Sequence, residues 1–214
     1  MVSKKNQKRD TETISQIVII GVLLLFISFN VGKISMSPST SVLPLVSASE
    51  IIPSGIPLIY GSEMGLSYND ISPLNQRLAD ATISKLSQYE SMELNAEQLD
   101  RYIMVAGSIS CEYCCGANSI IFENGERACG CAHSYAMRGL AKYLITEHPE
   151  ISDEEVLSEL GKWKVLFFPD IHEQKAAVLK ANGIDSTNYI NLASNLYRGI
   201  EQGQSNSGNM VGGC

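Results

Sequence analysis

Residues 111–133 read CEYCCGANSIIFENGERACGCAH and gather five of the chain's six cysteines and one of its three histidines. Cys111, Cys114 and Cys115 form the first group, Cys129, Cys131 and His133 the second, and Asn124-Gly125 lies between them. Cys111 and Cys114 have the C-x2-C spacing of half a zinc site, and Gly116 lets the backbone turn sharply behind them. Asn-Gly is the preferred pair of a tight hairpin turn, so the flanking segments Ser119–Phe122 and Glu126–Ala128 are predicted to form a short β-hairpin joining the two groups at its base. The second group then opens a helix. Knuckle, hairpin and helix in that order match treble-clef-like zinc sites, and the positive helix end favours thiolate over thiol. The tightest ligand set on this reading is Cys111, Cys114, Cys131 and His133, with Cys115 and Cys129 as additional or substitute ligands.

Outward from this stretch the sequence reads as helices. Pro73 suits a first helical turn, and Leu78, Ala79, Ile83, Leu86 and Tyr89 follow as an apolar stripe. Ala96, Leu99, Ile103 and Ala106 form a second stripe that ends near Gly107. Downstream, His133, Met137, Leu140 and Leu144 share one helical face, which must stop before Pro149. Ser152 with Glu155 makes a capping box for a stripe through Val156, Leu160, Trp163 and Phe167, closed by Pro169. Ile171 to Ala181 reads as helix with Asn182-Gly183 as a left-handed stop, and Thr187 to Gln202 gives a last stripe through Tyr189, Leu192, Leu196 and Ile200. Residues 203–214, which end in Cys214, carry too few apolar groups to order themselves and read as a flexible tail.

The N-terminal region has a different character. No charged residue interrupts Thr13 to Gly32, and at roughly 1.5 Å per residue such a run matches a hydrocarbon layer of about 30 Å. Lys4, Lys5, Lys8 and Arg9 precede it. The expectation is a single-pass membrane protein: residues 1–12 in the cytoplasm, 13–32 an anchor helix, 33–67 a Ser/Pro-rich linker, and 68–202 a Cys/His-rich domain outside the membrane. A cleaved signal peptide is the competing reading, with Val46-Ser47-Ala48 as its cleavage site; that site lies some fifteen residues too far beyond the apolar run. Of the 16 Lys/Arg and 23 Asp/Glu, four and two respectively precede residue 33, leaving 12 against 21 beyond it, a net charge of −9. Such a surface argues against a nucleic-acid partner; the sequence identifies no protein partner. The fold class expected is therefore mainly α, with one transmembrane helix and a small helical domain holding the knuckle and hairpin.

Several chemistries fit a thiol cluster. Thiolate-rich sites suit zinc, copper(I) and iron–sulfur clusters, with zinc placed ahead of copper here. The absence of a C-x-x-C-H motif argues against haem attachment. An extracytoplasmic location permits disulfides instead, and these must run across the hairpin because adjacent Cys114 and Cys115 bridge only with distortion. Cys214 is then available for the cysteine left over, or as a movable ligand. A thiol redox protein is a third reading, although Cys111–Cys114 lacks the strand-to-helix context of that class. His148 at a helix end and His172 beside Glu173 read as surface structure. Met104 and Met137 read as core. No HExxH, GxSxG or phosphate-binding glycine loop is present.

The stretches ISCEYCCG and ACGCAHSYAMRGLAKYLITEHPEISDEEVLSEL resemble the cysteine-rich knuckle and following helices of secreted or lipid-anchored bacterial proteins named for a PCYCGC motif, over residues 97–160. The likeness departs in lacking a proline before Cys111 and in having C-x-C as its second group. It implies a metal site and names no reaction. The sequence thus leads to a metal-binding module, structural or metal-handling, with a disulfide-stapled interaction domain as the alternative.

Overall fold

The computed structural model describes residues 43–202 and 210–212, together with Gln16, Ile19 and Ile20. The chain divides into two units, Met1–Val42 and Leu43–Cys214. Most of the segment 13–32 and Cys214 lie outside the described residues. Among the described residues no helix is long and apolar enough to cross a membrane. The expected anchor helix, and the single-pass location built on it, are corrected accordingly.

The second unit is mainly helical. Its short first helices, α1 (Ala48–Ile51) and α2 (Gly61–Met64), lie in the stretch expected to be linker, where Ile51, Tyr60, Met64 and Leu66 are nonetheless buried. Helix α3 (Gln76–Ser87) starts three residues after Pro73, because Asn75 caps it by accepting from the Leu78 N–H at 3.2 Å. Ala79, Ile83 and Leu86 face inward as expected, while Leu78 is exposed. A 3-10 turn at Gln88–Ser91 follows.

Helix α4 (Ala96–Gly107) opens on a capping box of Asn95 and Gln98. It buries Tyr102, Val105 and Ala106, leaving Leu99 and Met104 exposed, so Met104 is not core. The inward face is turned about one position from the predicted stripe because Tyr102 displaces Ile103 as its anchor. Helix α5 (Ala132–Glu147) is the central element and packs against α3, the 3-10 turn, α4 and α6 (Asp153–Phe167). Its axis comes so close to α3 that a Cβ on Gly139 would overlap the Leu86 carbonyl oxygen. Only glycine permits that approach, and it is what lets α5 occupy the middle of the bundle.

The Ser152–Glu155 capping box opens α6 as read from sequence, and Val156, Leu160, Trp163 and Phe167 are all fully buried. Helix α7 (Pro169–Ala181) takes Pro169 as its first residue, where a missing N–H costs nothing, and ends at left-handed Gly183. The predicted last helix breaks into α8 (Tyr189–Ala193) and a 3-10 turn at Asn195–Tyr197, with Leu196 exposed. The break arises because Ser194 bridges to Ile109 and the Asn195 N–H donates to the Ser108 carbonyl at 2.8 Å. Helical continuation would forfeit those bonds.

No β-strand occurs among the described residues, and the expected hairpin is reduced to one isolated bridge between Ile121 and Arg127. Its turn is closed by the Gly125 N–H donating to the Phe122 carbonyl at 2.9 Å. Among the described residues no non-glycine residue has positive φ, so Asn124 does not adopt the type I′ conformation its sequence favours, and of the pair only Gly125 is left-handed, at φ 82°. Across the bridge the Phe122 N–H donates to the Glu126 carbonyl at 2.8 Å and the Ala128 N–H to the Ile120 carbonyl at 3.2 Å, and Arg138 Nη1 donates to the Ile120 and Cys129 carbonyls at 2.9 and 2.8 Å.

Candidate metal centre

Three structural devices bring the two cysteine groups together. The first is the knuckle: the Cys111 carbonyl accepts from the Cys114 and Cys115 N–H groups at 3.3 and 3.2 Å, and Gly116 then turns the chain at φ 70°. The second is a disulfide between Cys115 and Cys129, whose Cα atoms are 6.8 Å apart. The third is Cys131 itself, which is the N-cap of α5 and accepts from the Ser134 N–H at 3.4 Å. A thiolate at this position receives both a main-chain N–H and the positive helix end.

The result is a buried cluster. Ligand atoms of Cys111, Cys114, Cys131 and His133 all lie within 4.8 Å of one another, which is the set singled out from spacing. Cys115, Cys129 and Cys131 form a second such triangle, but Cys115 and Cys129 are bonded to each other and offer no thiolate. Cys114 is also disulfide-bonded in this structure, leaving Cys111 and Cys131 as free, buried thiols. Their Sγ atoms are 3.2 Å apart. The hydrogen bond between them pushes the Cys131 thiol down to about 4, a shift that burial opposes and that Ser134 assists. The same hydrogen bond, with burial, pushes Cys111 up.

His133 is fully buried, with its ring 4.6 and 5.1 Å from those of Phe167 and Phe168. Its Nε2 contacts the Val211 carbonyl at 2.9 Å, whereas Nδ1 has no hydrogen-bond partner. A buried ring nitrogen with no partner is costly, and a metal ion would satisfy it.

Behind the knuckle lies a layer of buried charge that sequence reasoning missed. Glu112 sits between Lys164 at 3.1 Å and Arg198 at 2.9 Å, and Lys164 also donates to the Ala193 carbonyl at 2.8 Å. Tyr113 donates to Glu201 at 3.1 Å. His172 is fully buried, against its reading as surface structure, and its Nδ1 donates to the Phe168 carbonyl at 2.8 Å. His148 does lie at a helix end, where it meets Glu63 at 3.2 Å. The acidic and basic partners are 50 or more residues apart along the chain, so no local pattern announces them.

Lys175 is fully buried in this layer and its Nζ has no hydrogen-bond partner. Burial, followed by the charge of Lys164, pushes it down to about 8 from an ordinary 10.5. A depressed lysine destabilises the folded state wherever it is charged, and that cost disappears as pH rises from about 8 to 10.5. Lys175→Met is therefore expected to stabilise the protein by on the order of 3 kcal/mol at pH 7, with the gain shrinking toward pH 10. Denaturant melts of both chains across that range test this; a variant that loses stability, or a gain independent of pH, refutes it.

No family model, no curated protein and no solved structure matches the chain. What the site does must therefore be argued from its own atoms.

Proposed function

We propose that the protein is a metal-binding module in which Cys111, Cys114, Cys131 and His133 hold one zinc ion. The observation that carries this reading is the convergence of one potential ligand atom from each of Cys111, Cys114, Cys131 and His133 within 4.8 Å, three of the four residues being buried. Zinc–sulfur bonds of about 2.3 Å arranged tetrahedrally separate sulfurs by about 3.8 Å, so modest rotamer adjustment suffices. Cys114 joins the set when its disulfide is reduced, and Cys111, Cys131 and His133 are in place beforehand. The Cys115–Cys129 bond removes two of the five clustered thiols, leaving one imidazole and three sulfurs. That donor set fits a Cys3His zinc site better than an iron–sulfur cluster, which prefers four thiolates. With three of its four ligands buried, the site suits a structural ion that ties the knuckle to the head of α5.

The thiol redox reading is less well supported by the geometry. Cys131 Sγ lies 3.5 Å from Cys129 Sγ and no more than 4.8 Å from Cys115 Sγ. With a disulfide of ordinary length, those distances limit the approach angle to about 120°. Thiolate attack on a disulfide needs the three sulfurs nearly in line.

Elemental analysis of the full-length chain, purified anaerobically, together with a thiol count in denaturant and chelator, tests the proposal. The expected result is about one equivalent of zinc per chain and at least three titratable thiols, since ligands must be deprotonated thiols rather than disulfides. No metal and two or fewer thiols would overturn it and make the knuckle a disulfide staple.

A further inference from the structure

His133 is held in place by a segment far from it in sequence. Val211 is fully buried, although it stands in a stretch that reads as flexible tail. Its N–H donates to the Phe167 carbonyl at 2.9 Å, and its carbonyl meets His133 Nε2 at 2.9 Å. A carbonyl oxygen only accepts, so Nε2 carries the ring proton. In a neutral imidazole the lone pair then belongs to Nδ1, the buried nitrogen without a partner.

Gly212 locks this arrangement. Its φ of +89° favours glycine, and a Cβ there would overlap Ile83 Cδ1 and stand 3.2 Å from His133 Nε2. The main chain can approach the imidazole this closely only because residue 212 has no side chain. Phe167 contributes twice, through its carbonyl to the strap and through its ring to the imidazole.

We propose that Met210–Gly212 forms a strap whose Val211 carbonyl fixes His133 as the tautomer that ligates metal through Nδ1. Val211 is thus a positioning residue for the metal centre, and the inference rests on the metal-binding reading above. Partners of this kind orient a ligating histidine and raise its basicity, and their loss typically weakens metal binding about 10- to 100-fold.

The test is long-range proton–nitrogen NMR of the imidazole in the 15N-labelled full-length chain, before and after adding zinc, beside a competition titration of zinc affinity. In the wild-type protein, metal-free His133 is expected to be protonated at Nε2, and zinc is expected to shift Nδ1. Gly212→Val is expected to mix the two tautomers and weaken zinc binding about 10-fold. Val211→Ala retains the carbonyl and is expected to retain the wild-type tautomer. A wild-type chain that binds zinc through Nε2, or a folded Gly212→Val chain with unchanged tautomer and affinity, would overturn the strap. A wild-type chain that binds no zinc, with Nε2 still protonated, would instead overturn the metal reading.

Discussion

Replacing Cys131 with serine is expected to weaken zinc binding by at least 100-fold while leaving the helical content unchanged. Cys131 is the sulfur shared by both cysteine clusters, and it is pushed down to about 4 at the head of α5. A serine hydroxyl still accepts from the Ser134 N–H, so the helix keeps its cap. Cys131→Ala removes the cap as well and is expected to cost about 1 kcal/mol more in the metal-free state. The Cys115→Ser/Cys129→Ser chain loses only the cross-link and is expected to keep one zinc per chain. Chelator competition measures the zinc affinities and denaturant melts of the metal-free chains measure the cap, and a Cys131→Ser chain that binds zinc as tightly as wild type would sink the ligand assignment.

The size of the core changes what metal removal should do. A small zinc knuckle unfolds without its ion, and the cysteine pattern alone invites that expectation. Here Trp163, Phe167, Leu140 and Leu144 are fully buried in the core to which Cys111 and Cys131 also belong. At free zinc a thousand times its dissociation constant the ion adds about 4 kcal/mol, so the metal-free chain is expected to remain folded with a lower melting temperature.

The second large effect is expected at Arg138. Its side chain is fully buried; Nε pairs with Glu90, and Nη1 donates to the Ile120 and Cys129 carbonyls. Glu90 is itself buried and its other partner, Arg127, is largely exposed. Arg138→Ala would leave a buried carboxylate with one solvated partner and the Cys129 carbonyl without its donor, while the Ile120 carbonyl would keep only the Ala128 N–H. A loss of about 3–5 kcal/mol is expected, and chemical denaturation measures it. Glu90→Gln in the same chain is expected to recover part of the loss, because it removes the uncompensated charge. A single-variant loss below about 1 kcal/mol would show that Arg138 is not what anchors the Cys129 loop.

Much of the helical framework is legible without coordinates. The Ser152–Glu155 box, the stripe from Val156 to Phe167 and the glycine stop after α7 are local devices, and each acts where its spacing places it. The grouping of Cys111, Cys114, Cys131 and His133 is also legible, because knuckle and helix cap are separated by one short turn. Asn124-Gly125 misleads in detail. Its intrinsic preference sets only the turn, with Gly125 left-handed and Asn124 not, and the surrounding tertiary contacts leave one bridge instead of a ladder. The last stripe misleads for a similar reason, since Ser108 and Ile109 hold Ser194 and Asn195 more effectively than a continued helix does.

By itself the sequence determined the mainly helical class, the Ser152 cap and the Gly183 stop, and the grouping of Cys111, Cys114, Cys131 and His133. Those properties depend on spacing and neighbouring residues, which are written along the chain. Tertiary structure alone decided which cysteines are cross-linked, the burial of His172 and of the charged layer around Glu112 and Lys164, and the docking of Val211 on His133. Each of these joins groups that are remote in sequence or competes with a local preference, and only packing in three dimensions sets which contact wins.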